Sequence, residues 1–190
     1  MLRIDNLSKG FDGKAVIESL SLTFPKSGLI ALCAPSGHGK TTLLRIIAGL
    51  EKADSGEISF DIKHPAVSFS FQEPRLLAER TASENVNFVL GDKKATLPRA
   101  KELLMMLNIR DFDLYPDELS GGMKARVSIA RALAKKSDIY IFDEPFANLD
   151  KETAMICIDT IKKEAEGALV IVVMHDIELA ERVADKIINL

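Results

Sequence analysis

Between the apolar run Leu29 to Cys33 and a segment with helical spacing that opens at Lys40 lies a short loop, Ala34-Pro35-Ser36-Gly37-His38-Gly39. Glycines in such a turn let successive backbone N–H groups point at phosphate oxygens, beside the positive end of the helix that follows. Ser36, Gly37, His38, Gly39 and Thr42 supply that cradle. Lys40 has the reach for β- and γ-phosphates, and the Thr41 hydroxyl suits Mg²⁺. The strict pattern G-x4-G-K-[ST] has Ala34 at its first position. If the fold needs φ > 0 there, alanine costs about 1 kcal/mol.

A second chemical cluster closes the apolar run Ile139 to Phe142, where Asp143 and Glu144 stand side by side. Adjacent acids at the carboxyl end of a buried strand call for a cation. Side chains alternate along a strand, so Asp143 is expected to face Mg²⁺ and Glu144 a water that attacks the γ-phosphate. Leu119-Ser120-Gly121-Gly122 precedes another helical segment and repeats the physics of the first loop, although those four residues alone also read as an ordinary serine cap. Since one phosphate chain rarely needs two such ends, the second points to a nucleotide held mainly by another copy. His175 follows the apolar run Leu169 to Val173, within reach of a γ-phosphate. Gln72 follows Ala66 to Phe71 and either ligates Mg²⁺, orients water or is a plain strand-end polar residue. Phe11, in a glycine-flanked turn, offers a face for adenine.

The elements that must hold these residues follow from periodicity. Leu2 to Leu7 and Ser21 to Phe24 read as strands of an antiparallel flap, with Gly56 to Phe60 and Ala66 to Phe71 as further strands. Leu43, Leu44, Ile46, Ile47 and Leu50 place a helix over Lys40 to Leu50. Ala82 to Leu90 and Leu97 to Leu107 form a helical insert. From Gly121 the chain alternates: helix to about Lys135, strand Ile139 to Phe142, helix Lys151 to about Glu166, strand Leu169 to Val173, helix Ile177 to Ala184, strand Lys186 to Leu190. Apolar strands alternating with helices imply a parallel sheet covered on both faces.

Composition narrows the class. A chain of 190 residues, 47% hydrophobic and 28% charged, suits one domain with at most a small subdomain. With 25 basic and 28 acidic residues the net charge is −3, which disfavours a broad nucleic-acid or anionic-membrane footprint. No run approaches the ~18 apolar residues of a membrane span, and the start lacks a secretory h-region. Cys33 and Cys157 form no CxxC or Cys/His cluster and read as small buried hydrophobes. His38 and His64 carry no chemistry of their own on this reading.

As an ordered set these segments resemble the nucleotide-binding subunit of ATP-binding cassette (ABC) transporters, over essentially the whole chain. Ala34 to Thr42 is similar to the phosphate loop, Gln72 to the Q-loop glutamine, Leu119 to Met123 to the family signature, and Ile139 to Glu144 to the Walker B strand. Asn148-Leu149-Asp150 is similar to the D-loop, His175 to the switch histidine and Phe11 to the adenine-stacking aromatic. The resemblance implies an α/β fold with a P-loop NTPase core, a mainly parallel sheet, an antiparallel β flap and an inserted helical subdomain. It implies one ATPase domain over residues 1–190: flap and sheet in about 1–30 and 56–71, helical subdomain in about 78–118, and no C-terminal regulatory domain.

It further implies ATP and Mg²⁺ as cofactors, with Thr41, Gln72 and Asp143 toward the metal and Glu144, His175 and Gln72 in hydrolysis. Two copies, or a copy and a paralogue, sandwich two ATP molecules head to tail, Ser120, Gly121, Gly122 and Asp150 completing the partner's site. A cytoplasmic location follows, peripheral on the inner face of the cell membrane through a permease subunit, with an extracytoplasmic solute-binding protein as an indirect partner and no nucleic acid. Ala34 and Met123 depart from the family's usual Gly and Gln. Tyr115-Pro116-Asp117-Glu118 and the methionine in the signature are similar to importer subunits for nitrate, sulfonates or small organic acids. Two alternatives stay open: a soluble cassette ATPase acting on nucleic acid or ribosomes, and a nucleotide-binding regulatory module with little turnover.

Overall fold

The computed structural model describes residues 1–35 and 37–190, so Ser36, read above as part of the phosphate cradle, lies outside the described residues. Three strands form an antiparallel sheet in the order β2-β1-β4: β1 (Leu2–Phe11), β2 (Lys14–Phe24) and β4 (Ser55–Phe60). Five strands form a parallel sheet in the order β5-β6-β7-β3-β8: β3 (Gly28–Cys33), β5 (Val67–Ser70), β6 (Ile139–Phe142), β7 (Leu169–Val173) and β8 (Lys186–Asn189). The flap is longer than its alternation suggests. Its hairpin reverses at Asp12 and Gly13, with φ 49° and 77°, so Gly10 and Phe11 belong to β1 rather than to the turn. Irregular pairing between Ile4 and Gly10 breaks the period-2 signal that would have revealed the full strand.

The parallel sheet divides two cores with period 2. Leu29, Ala31 and Cys33 of β3 face one side with Tyr140, Phe142, Val170 and Val172; helices α2 (Ala82–Val89), α3 (Leu97–Met106), α4 (Gly121–Leu133), α5 (Lys151–Glu164) and α6 (Ile177–Val183) contribute to that side. Ile30 and Leu32 face the other with Ile139, Ile141, Leu169, Ile171 and Val173, against α1 (Lys40–Ile47) and the antiparallel sheet. Strands buried on both faces need no polar alternation, which is why their apolar runs marked them so sharply. Helix α1 stops at Ile47, and Gly49 beyond it adopts φ 70°, a left-handed stop that leaves Leu50 56% exposed and outside the helix.

The helical insert between β5 and β6 is tied down by side chains. Thr81 and Glu84 form a capping box at α2. The Asn85 side chain, fully buried, accepts from Leu77 N–H and donates to the Leu77, Arg80 and Thr81 carbonyls. Cys33 and Cys157 are buried, and burial pushes the Cys157 thiol up to about 12, so neither is a ready nucleophile. No helix among the described residues is long and apolar enough to cross a membrane.

Candidate nucleotide and metal site

Strand order explains why residues far apart in sequence meet. Strands β5, β6 and β7 are neighbours in register, with Ser70 beside Phe142 and Phe142 beside Val172. Each chain leaves the sheet at the same edge, so Gln72, Glu144 and His175, two residues past their strands, fall in a row. Gln72 Nε2 donates to Glu144 Oε2 at 3.0 Å, and His175 Nε2 lies 2.7 Å from Glu144 Oε1. The Glu144 carboxylate is thus held from both sides. It borders a cavity of about 220 Å³ walled by Phe146, Leu149, Met174 and His175.

Asp143 and Glu144 diverge as expected, but not through strand pleat. Strand β6 ends at Phe142, and Glu144 adopts φ 50°, a left-handed conformation uncommon for a side-chain-bearing residue and costly by about 1–3 kcal/mol. That turn sends Glu144 toward Gln72 while Asp143, 2% exposed, turns inward. Thr41 Oγ1 donates to Asp143 Oδ2 at 2.8 Å. The other oxygen, Oδ1, is buried with no hydrogen-bond partner among the described residues. Burial lifts the Asp143 carboxyl above its ordinary 3.8, only partly offset by the Thr41 hydrogen bond, and Glu144 adds repulsion. A buried acid with an orphaned oxygen beside a hydroxyl fits a hard divalent cation, which takes few protein ligands when phosphates complete its shell.

The folded state holds the Asp143 proton more tightly than the unfolded chain, so this group's contribution to stability is complete below pH 3.8 and is lost as pH rises through its raised folded value. Removing the charge removes that loss. Asp143→Asn is therefore expected to unfold no lower than the wild type at pH 7 without metal, and to gain less in melting temperature than the wild type when Mg²⁺ and ATP are added together. Thermal scans with and without Mg²⁺ read both, and a fully retained Mg²⁺ response would remove Asp143 from the metal site.

The phosphate loop is closed on itself. Lys40, 5% exposed, donates from Nζ to the carbonyls of Ala34 at 2.8 Å and Pro35 at 3.0 Å. Ala34 is not among the residues with positive φ, so the strain foreseen for it does not arise. The left-handed positions are Gly37 (φ 84°) and Gly39 (φ 74°). A Cβ at Gly37 would meet open space, whereas one at Gly39 would sit 2.9 Å from the Val16 carbonyl oxygen of β2. Gly39→Ala adds that clash to a strained φ and is expected to cost about 1–3 kcal/mol in urea unfolding, with weakened nucleotide binding. His38 and Thr42 flank this turn, His38 exposed and Thr42 half-buried in α1.

Helix α4 opens with Ser120 Oγ accepting the Met123 N–H at 3.2 Å, which leaves the N–H groups of Gly121 and Gly122 at an exposed helix start. The Met123 side chain does not project from that start but packs, partly buried, against the core under α4. Gly122 lies against the Asn148-Leu149 loop, where an added Cβ would be 3.1 Å from the Asn148 carbonyl oxygen. Asp150 caps α5: its two carboxylate oxygens accept the Thr153 N–H and hydroxyl, and the N–H bond holds its carboxyl below the usual range. Phe11 ends β1 with 45% of its surface exposed.

Two arginines escaped the sequence reading. Arg131 of α4 donates to the Pro74 and Arg75 carbonyls, fastening the segment after Gln72 to the helix that starts at Gly121. Arg126 donates to the Leu107 and Asn108 carbonyls at the end of α3. For Arg131 the available signal was a charge inside the mostly apolar stretch Val127 to Leu133; Arg126, just before that stretch, carried none.

Comparison with known proteins agrees with this fold. Residues 17–147 match the family described as ABC transporter. A sulfate/thiosulfate import ATP-binding protein of Bacillus cereus is 39% identical over 206 aligned positions, covering 98% of this chain and 58% of that protein. An L-cystine import ATP-binding protein of Bacillus subtilis is 36% identical, covering 99% and 85%. A dimeric ATP-binding cassette solved in a post-hydrolysis state with ADP and Pi superposes with a TM-score of 0.89 at 30% identity, over 100% of this chain and 94% of that one. The chain spans under two thirds of the length of the bacterial sulfate/thiosulfate relatives it matches. The substrates in these names differ, so they do not select the nitrate, sulfonate or small-organic-acid group.

Proposed function

Because the chain belongs to the ABC transporter family, we propose that it binds and hydrolyses ATP as the motor subunit of a membrane importer. One observation carries the reading: Thr41, next to Lys40 at the start of α1, bonds Asp143 at the same sheet edge where Gln72 and His175 hold the Glu144 carboxylate. The triphosphate takes over Lys40 from the loop carbonyls and lies on the N–H groups of the Gly37 to Thr42 turn. Thr41 and Asp143 would hold Mg²⁺, which when bound would supply positive charge to the phosphate chain. Glu144 orients and deprotonates the attacking water, His175 lends a proton-bearing nitrogen to the γ-phosphate, and Gln72 relates the site to the helical insert. Phe11 stacks on adenine.

The exposed start of α4, with Ser120, Gly121 and Gly122, serves the nucleotide of a second copy, as does Asp150. Two ATP molecules therefore favour a closed head-to-tail dimer, and hydrolysis releases it. The helical subdomain, about 78–118, receives a cytoplasmic segment of the permease, which keeps the protein on the inner face of the membrane. Two paralogous subunits in place of one homodimer, and a solute-binding protein outside the membrane, fit the same scheme.

The test is affinity purification of the tagged protein from detergent-solubilised native membranes. A multi-spanning protein travelling with it is the expected result. Recovery from the soluble fraction alone, with ribosomes or nucleic acid, would overturn the transporter reading in favour of a soluble cassette ATPase.

A further inference from the structure

We propose that Lys9 is a positioning residue for the nucleotide base, bracing the Phe11 ring from behind while the ring's open face takes the adenine; this rests on the reading of Phe11 as the base platform. Lys9 and Phe11 are two residues apart on β1 and share one face of it. The Lys9 ammonium lies 4.9 Å from the centroid of the Phe11 ring, within the range in which a cation is attracted to an aromatic face.

The ammonium is not a wandering surface charge. Glu51 Oε1 holds it at 3.0 Å and Asp54 Oδ1 at 3.2 Å, and its side chain is 11% exposed against 45% for Phe11. Asp54 Oδ2 accepts the N–H of Gly10, the residue between the two, at 2.8 Å. One carboxylate therefore fixes both the cation and the backbone that carries the ring. The Glu51 hydrogen bond raises the Lys9 ammonium above its usual range, while Lys9 lowers Glu51 and the Gly10 N–H lowers Asp54, so the brace stays charged at neutral pH.

The brace sits next to the phosphate loop. Lys9 pairs across the hairpin with Ile17, and Gly39 lies so close that an added Cβ would be 3.1 Å from Ile17 Cγ1. A phenylalanine at the open end of a strand loses rotamer freedom when a base stacks on it. A ring already pinned from one face has less to lose, which tightens binding without touching the ligand.

Calorimetry with ATP and with inorganic tripolyphosphate tests this on four variants: Lys9→Met, Lys9→Arg, Phe11→Ala and Lys9→Met with Phe11→Ala. Lys9→Met is expected to weaken ATP about threefold and leave tripolyphosphate unchanged, Lys9→Arg to restore the affinity, and the loss to vanish once Phe11 is gone. An equal loss for both ligands, or the same loss with and without Phe11, would overturn the proposal. If Phe11→Ala weakens ATP but Lys9→Met does not, the brace alone fails. If Phe11→Ala binds ATP as the wild type does, the stacking reading fails and the brace with it.

Discussion

Glu144→Gln is expected to slow ATP hydrolysis by about 10²–10⁴-fold while ATP binding survives, and the ATP-bound protein is expected to accumulate as a dimer. The carboxylate is the one group in the row that two neighbours aim at, with Gln72 Nε2 at 3.0 Å and His175 Nε2 at 2.7 Å. Glutamine keeps its length and shape but cannot accept a proton from water. It also turns one acceptor into a donor, which Gln72 accommodates by presenting its amide oxygen instead of its nitrogen. The left-handed backbone at position 144 asks the same of both residues, so the turn at the strand end persists. Lys40 and Thr41, which the proposal gives to the phosphates and the metal, both lie on α1 and are untouched.

A steady-state phosphate-release assay and gel filtration with ATP read the two halves of this prediction. Turnover at the wild-type rate would take Glu144 out of the chemistry. Turnover lost together with ATP binding would instead make it a structural residue of the strand edge. In the proposed scheme the population of the closed dimer depends exponentially on the free energy by which two bound ATP molecules favour it, so blocking hydrolysis lengthens the life of that state without adding a contact.

The legible parts of the chain were those with one physical cause. Ile139–Phe142 and Leu169–Val173 were bounded to the residue because a strand buried on both faces has to be apolar throughout. The turn at Gly37 and Gly39 was legible because two glycines between a buried strand and a helix mark left-handed backbone positions. What stayed hidden depended on several causes at once. Periodicity says that β5, β6, β7 and β3 are strands, not that they lie in that order, and only the order brings Gln72 and His175 to opposite sides of Glu144. The flap hairpin carries mixed burial and irregular register, so its last residues, Gly10 and Phe11, looked like a turn. A long polar side chain that pairs with distant carbonyls leaves no local pattern naming its partner: Arg131 shows in the sequence only as a charge in an apolar stretch, not as a link to the Pro74 and Arg75 carbonyls. At Ala34 the expectation was conditional on a backbone angle that no sequence states, and the angle turned out ordinary.

Lys40→Ala is the second large effect, and it acts on binding rather than on turnover. The lysine is 5% exposed with its ammonium on two loop carbonyls, so its stem is packed and its charge already sits inside the loop. Handing that charge to phosphate oxygens exchanges two bonds to neutral carbonyls for two in which the acceptor is charged as well as the donor, at about 1.5–3 kcal/mol each against truncation. Part of that is spent on leaving the carbonyls, so the expected loss is about 10²-fold in ATP affinity, not the full sum. Lys40→Arg does not rescue it, because a planar five-donor fork does not fit a site shaped around one compact ammonium. The fold should persist, since the Ala34 and Pro35 carbonyls lie on a loop that is half-buried to exposed and water replaces the lost donor. Titration calorimetry with ATP measures the effect, and urea unfolding separates it from instability. Wild-type affinity in a folded Lys40→Ala protein would mean that the loop amides alone hold the nucleotide, and the glycine turn between β3 and α1 would then be the whole phosphate site.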